Sequence, residues 1–103
     1  MGQPEGLIVV EVDDTPTALV ARVSGEIDLA SAPELEERLS HADGRPLLVD
    51  MSRVIFMDSS GLSALLRLHA GGKSLRVINP SEQVAQLLRL VGLYDHFCGP
   101  PDQ

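Results

Sequence analysis

Strand-type and helix-type segments alternate along most of this chain, and the alternation restricts the fold more than any single motif does. Two β-rich runs come first, at residues 7–12 and 17–24, and the turn sequence between them contains Pro16, so a hairpin is expected. After the hairpin, helix and strand patterns follow one another to give the order β-β-α-β-α-β-α. Strands that are separated by helices pair in parallel through right-handed crossovers. The sequence therefore predicts a single α/β domain.

Two of the predicted helices begin at capping sequences. In the first helix, Ser31 is expected at the N-cap with Glu34 three residues later, which is the pattern of a capping box. In the last helix, Asn79 is expected to be the cap and Pro80 the first helical residue. Gly92 is the expected stop of that helix. These signals set the predicted limits of both helices.

Three further segments complete the predicted order. Residues 46–51 are almost continuously apolar, as expected of a strand covered on both faces, and residues 52–57 are interpreted as a link to the next motif. Residues 60–70 carry apolar side chains at the spacing of one helix face, and a further strand is expected at 74–79. The end of the chain from Cys98 onwards is expected to be frayed.

Composition and net charge restrict the partners. With 103 residues and 44% hydrophobic content, the chain suits one domain over residues 1–103, with a core of about 7–97 and flexible termini. A net charge of −7 repels phosphate backbones and anionic lipid, so neither nucleic acid nor a membrane is an expected partner. No apolar run approaches the roughly 18 residues that span a bilayer. The single Cys98 fits a reducing compartment, and a cytoplasmic location is expected.

Catalysis and metal binding find little support in the sequence. Ser59 and Ser60 both lack the Gly-x-Ser-x-Gly nucleophile elbow. His69 lies roughly 14 Å along the helix that starts at Ser60, too far to act as a base for either serine. Neither a His-x-x-x-His pair, nor a cysteine pair, nor the glycine spacing of a phosphate-binding loop is present. We therefore expect neither an enzyme nor a metal or other cofactor.

The sequence Phe-Met-Asp-Ser-Ser-Gly-Leu at residues 56–62 is the strongest candidate site. One interpretation is structural: Asp58 or Ser59 caps the following helix, and Gly61 lets that helix begin close to the sheet. The other is functional, because the motif follows the carboxyl end of the central strand, where α/β folds place binding sites. A phosphate on a hydroxyl there would be stabilised by the free N–H groups of the helix. Leu62 is either an exposed contact or a core residue, and the pattern favours the core.

Three segments resemble the STAS family, and specifically its anti-sigma factor antagonists. They are VSGEID at 23–28, LLVDMSRVIFMDSSGL at 47–62 and GGKSLRVINPSEQVAQLLRLVGL at 71–93. The resemblance implies a small mixed β-sheet of about four to five strands with helices packed largely on one side. It also implies a regulator that, when unphosphorylated, binds an anti-sigma factor serine/threonine kinase and thereby releases a sigma factor.

The same resemblance assigns site residues. Ser59, with Ser60 as the second choice, is where the kinase would add a phosphate, which would end binding until a PP2C-type phosphatase removes it. The implied partner-binding surface comprises Gly25, Glu26, Asp28, Asp58, Ser59, Ser60, Gly61 and Leu62. STAS domains also serve as constitutive adaptor subunits of transport or stress-sensing complexes. In such an adaptor the serines of the motif would act only as a helix cap.

Overall fold

A computed structural model describes residues 8–41, 43–72 and 74–99. These residues form β1 (Ile8–Asp14), β2 (Leu19–Ile27), α1 (Ala32–Leu39), β3 (Leu47–Met57), α2 (Ser59–Ala70), β4 (Leu75–Ile78), α3 (Glu82–Leu90) and α4 (Tyr94–Cys98). The predicted order β-β-α-β-α-β-α is confirmed, and the short helix α4 follows it. Of the termini that were expected to be flexible, about 1–6 and 98–103, residues 1–6 and 100–103 lie outside the described residues.

The strands form one mixed sheet in the order β1-β2-β3-β4. β1 and β2 are antiparallel, and Asp14 pairs with Leu19 at the end of the predicted hairpin. The Thr15 hydroxyl closes the hairpin turn, because it accepts a hydrogen bond from the Ala18 N–H (3.0 Å) and donates one to the Ala18 carbonyl (2.6 Å). β3 is parallel to both of its neighbours, β2 and β4. It is therefore an inner strand, and its carboxyl end leads into α2.

Side chains along the inner strands alternate between a buried face and an open face. In β2, the exposed Arg22 lies between the buried Ala21 and Val23. In β3, Val49 is buried, whereas Asp50 is partly exposed. In the part of the chain that the structure describes, helices therefore cover one face of the sheet, as the resemblance implies. The expectation that the third strand is covered on both faces is wrong, because Leu48 and Asp50 are partly exposed between buried neighbours.

β3 is also longer than its sequence pattern predicted. It has 11 residues, and residues 52–57, interpreted as a link, form its second half. They remain in the sheet because β2 pairs with them up to Ile27, opposite Met57. The second β-rich run was expected to end at residue 24, but β2 continues to Ile27. Gly25 lies at an irregularity of this ladder with a φ of 109°, a conformation that suits glycine.

Ser31 occupies the N-cap position of α1 as predicted, but the capping box does not form, and the predicted cap of α3 is wrong. The buried Ser31 makes no capping hydrogen bond to α1; its hydroxyl instead donates to the Glu26 carbonyl (2.7 Å). α3 is capped by Ser81, whose hydroxyl accepts from the Val84 N–H (3.3 Å). Asn79 has a φ of 49° and lies before the helix. In both cases the side chain that the local sequence pattern assigned to a helix cap lies in a turn or makes a different hydrogen bond.

The end of the described chain contains a helix that the sequence did not reveal. α4 has five residues and buries Phe97 completely. Cys98, which was expected to begin a frayed end, is its last residue. Gly92 ends α3 as predicted, with a φ of 78°. Within the described residues, none of these helices has the length and apolar character needed to cross a bilayer.

Candidate functional site

The Phe-Met-Asp-Ser-Ser-Gly-Leu motif joins β3 to α2 at the carboxyl end of the two inner strands. Met57, the last residue of β3, pairs with Ile27, the last residue of β2. The Asp58 N–H then donates to the Ile27 carbonyl (3.1 Å), which fixes the motif to the end of β2. The predicted position of the motif is thus confirmed: it follows an inner strand at the edge of the sheet where α/β folds present their binding sites.

Asp58, and not a serine, caps α2. Its carboxylate accepts a hydrogen bond from the Ser60 N–H (2.8 Å), and its carbonyl accepts one from the Leu62 N–H (3.2 Å). An aspartate in this role satisfies one of the free N–H groups of the first turn. Of the two caps that the sequence allowed, the structure therefore contains the aspartate cap.

Ser59 is the first residue of α2, and it is exposed to solvent. Because Asp58 accepts the capping hydrogen bond, the hydroxyl of Ser59 has no part in the cap. Ser60 is half-buried, so its hydroxyl is less accessible. The structure thus distinguishes between the two serines, which the sequence could rank only through the family resemblance.

Gly61 and Leu62, the last two residues of the motif, are buried. A Cβ added at Gly61 would lie 2.6 Å from Met57 Cγ and 2.7 Å from Ile27 Cγ2, so a glycine allows α2 to begin close to the sheet, as predicted. Leu62 is only 9% exposed and belongs to the hydrophobic core. The core interpretation of Leu62 is confirmed, and neither residue offers a side chain to a partner.

The β2–α1 loop lies at the same edge, directly after Ile27. The Asp28 carboxylate accepts hydrogen bonds from the N–H groups of Ala30 (3.0 Å) and Ser31 (3.1 Å). The Asp28 N–H in turn donates to the Ser31 hydroxyl (3.0 Å). Asp28 therefore holds the shape of this loop, while Glu26, in the last part of β2, is exposed.

Three exposed apolar residues at this edge were missed by the sequence interpretation. Leu29 follows Asp28 in the loop, and Ile55 and Phe56 lie near the end of β3. The second half of β3 had been interpreted as a link, so its outward-facing residues were not considered. In the sequence, this apolar surface was indicated by Leu29, which is a large apolar residue in a loop and does not fit the apolar spacing of a helix.

The charged groups beside the motif are mainly acidic, and the nearest basic residue along β3 is the exposed Arg53, which pairs with Ser24. Glu26, Asp28 and Asp58 are the ionisable residues of the segments 24–31 and 54–64, which contain no lysine, arginine or histidine. The edge therefore carries a negative field that favours a basic partner surface.

Other features of the described structure lie away from the motif. His69 lies in the last turn of α2, where its ring contacts that of His96 at a centroid distance of 4.7 Å, far from Ser59. In the described residues, no group of three or more His, Cys, Asp or Glu side chains could hold a metal ion. A concavity of about 450 Å³ lies on the open face of the sheet, around Arg22 and Asp50, and no residue of the motif lines it. The motif thus forms part of an exposed surface.

Comparison with known proteins gives a consistent result. The family model described as "Mlab, STAS domain" matches residues 10–97. An anti-sigma-B factor antagonist of Staphylococcus aureus (strain NCTC 8325 / PS 47) is 36% identical over 81 residues, which cover 72% of this chain and 75% of that protein. Among solved structures, an anti-sigma factor antagonist from Mycobacterium paratuberculosis is similar with a TM-score of 0.79 and 31% identity, covering 90% of this chain and 85% of the other. The anti-sigma factor antagonist SpoIIAA in its unphosphorylated form is similar with a TM-score of 0.64 and 26% identity, covering 84% and 83%. The resemblance seen in the three sequence segments is confirmed: this chain belongs to the STAS domain family.

Proposed function

We propose that this protein is a non-enzymatic anti-sigma factor antagonist of the bacterial cytoplasm that is switched by phosphorylation of Ser59. In its unphosphorylated form it binds an anti-sigma factor with serine/threonine kinase activity, and the sigma factor is released. Phosphorylation of Ser59 by that kinase ends the binding, and a PP2C-type phosphatase restores it. The similarity to proteins named anti-sigma factor antagonists supports this function, as does the existence of an unphosphorylated form of SpoIIAA.

The proposal rests on one observation: the helix cap and the exposed hydroxyl belong to two different residues. Asp58 accepts the capping hydrogen bond, whereas Ser59 is exposed at the first position of α2. A kinase can therefore reach Ser59, and a phosphate there displaces no hydrogen bond of the cap. This arrangement favours a switch over a constitutive adaptor. In the adaptor interpretation the serines would act as the helix cap, but Asp58 already fills that role.

A phosphate at Ser59 alters the surface and not the fold. It adds a charge of about −1.5 to −2 next to Asp58. The N–H groups of the first turn and the positive end of the helix dipole stabilise that charge within the protein. A partner that closes over Ser59 must, however, remove water from the phosphate, and this desolvation opposes complex formation.

Three variants test the proposed function by calorimetric titration against each anti-sigma factor kinase of the same genome. Ser59→Ala should bind like the wild-type protein, and Ser59→Asp should lose binding at unchanged melting temperature. Ser74→Asp is the matched control, since Ser74 is also exposed but precedes β4 at the opposite edge, where its carbonyl accepts from the Leu47 N–H (2.7 Å). Tight binding by Ser59→Asp, or an equal loss with Ser74→Asp, would contradict the proposal.

A further inference from the structure

Three large apolar side chains flank the proposed site. Leu29 is 79% exposed, Ile55 60% and Phe56 47%. Leu29 lies two residues after Ile27, and Phe56 pairs with Glu26 across the two inner strands, so the three residues share one edge of the sheet. We call Leu29, Ile55 and Phe56 the apolar rim. Large apolar side chains that are exposed together mark interaction surfaces more often than isolated ones do.

The exposure of Ile55 and Phe56 follows from the lengths of the strands. β4 pairs with β3 only over residues 47–50, so β3 extends beyond β4 from Met51 onwards. Among the described residues, this extension pairs with β2. Phe56 lies opposite Glu26, whereas Ile55 falls at the register shift between the pairs Gly25–Val54 and Glu26–Phe56. Both side chains are therefore carried by the paired end of β3.

Leu29 is presented by a loop that hydrogen bonds hold in place. On either side of it, the Asp28 carboxylate accepts from the Ala30 and Ser31 N–H groups (3.0 and 3.1 Å), and the Ser31 hydroxyl donates to the Glu26 carbonyl (2.7 Å). A side chain on a fixed loop loses little conformational freedom when a partner binds it. The loop is therefore suited to anchor a partner.

We propose that the apolar rim is the anchor of the partner interface and inserts into an apolar pocket, bordered by lysine or arginine, on the anti-sigma factor. The identity of this partner rests on the proposed function. Its chemistry follows from the rim, which fits an apolar pocket, and from the exposed Glu26 carboxylate, which favours a basic group beside that pocket. The Asp28 and Asp58 carboxylates already accept backbone hydrogen bonds. The segments 24–31 and 54–64 contain no basic residue, and Arg53, which pairs with Ser24, lies just outside them.

The apolar rim and Ser59 have different roles in this interface. Burial of the rim supplies affinity that depends little on salt, whereas phosphorylation of Ser59 opposes the complex. Truncation of a large anchor near the centre of an interface weakens binding by about tenfold or more. The rim is thus expected to determine how tightly the unphosphorylated protein binds.

The test is calorimetric titration of the full chain with the anti-sigma factor at low and at high salt. Leu29→Ala and Phe56→Ala should each raise the dissociation constant about tenfold or more at both salt concentrations. The control is Leu90→Ala, because Leu90 is 82% exposed at the end of α3. The next helix, α4, contacts the amino end of β4 through a hydrogen bond from Arg76 to the His96 carbonyl, so this region lies away from the apolar rim. Melting temperatures show whether each variant is folded.

The outcomes separate this inference from the proposed function. If Leu29→Ala binds as tightly as the wild type, the anchor is wrong, although Ser59→Asp can still lose binding. If Leu29→Ala loses affinity while Ser59→Asp keeps it, the anchor holds and the phosphorylation switch is wrong. An equal loss with Leu90→Ala would also overturn the anchor. If the wild-type protein binds no anti-sigma factor, both proposals fail.

Discussion

The Gly61→Ala substitution tests whether α2 must begin in contact with the sheet. The added Cβ would lie 2.6 Å from Met57 Cγ and 2.7 Å from Ile27 Cγ2. Both distances are roughly 1 Å shorter than an ordinary contact between carbon atoms. Ile27 is completely buried and stiff at its branched Cβ, so it has little room to move.

The expected effect on stability is a balance of two terms. Overpacking of a tight core site costs about 1–3 kcal/mol, and the higher helix propensity of alanine returns up to about 1 kcal/mol. We therefore expect a net loss of about 1–2 kcal/mol in the free energy of unfolding. For a domain of this size, such a loss lowers the melting temperature by about 5–15 °C.

The assay is thermal and urea unfolding followed by circular dichroism, with Gly71→Ala as the control. Gly71 is the C-cap of α2 with a φ of −77°, and a Cβ there would lie 3.4 Å from its nearest neighbour, the Arg67 carbonyl oxygen. Gly71→Ala should therefore be neutral or slightly stabilising. If Gly61→Ala is as stable as Gly71→Ala, close packing of the helix start is not what requires the glycine.

Two further predictions concern the loop and the open face. Ser31→Ala should lose roughly 1–3 kcal/mol in urea unfolding, because the Glu26 carbonyl would lose the hydroxyl donor that the buried Ser31 supplies; an unchanged midpoint would contradict this. Partial burial alone would raise the pKa of the Asp50 carboxyl, but hydrogen bonds from Ser52 and Asn79 outweigh it and hold that pKa below its usual value. Its stabilisation is therefore present above about pH 4 and is lost as the pH falls further. Asp50→Asn should flatten the dependence of the urea midpoint on pH between about 5 and 2, and a slope equal to that of the wild type would contradict this.

Much of the fold could be predicted because it is encoded in local patterns. The hairpin follows from two β-rich runs around a turn, and the later helices follow from apolar spacing and from glycine stops such as Gly92. The position of the motif after an inner strand follows from the alternation of strands and helices. These features depend on residues that are close together in the sequence.

The features that could not be predicted depend on residues far apart in the sequence. The second half of β3 is a strand because β2 continues to pair with it up to Ile27. The exposure of Phe56 depends on how short β4 is. In each case the tertiary partner, and not the local pattern, decides the outcome.

The most direct test of the central claim is to locate the phosphate after incubation with ATP and the anti-sigma factor kinase. Phosphopeptide mass spectrometry of the full chain should find one phosphate, on Ser59, and none on the Ser59→Ala variant. The phosphorylated protein, separated from the unmodified form, should no longer bind the kinase. A phosphate on another residue, or a Ser59 phosphoprotein that still binds tightly, would contradict the account.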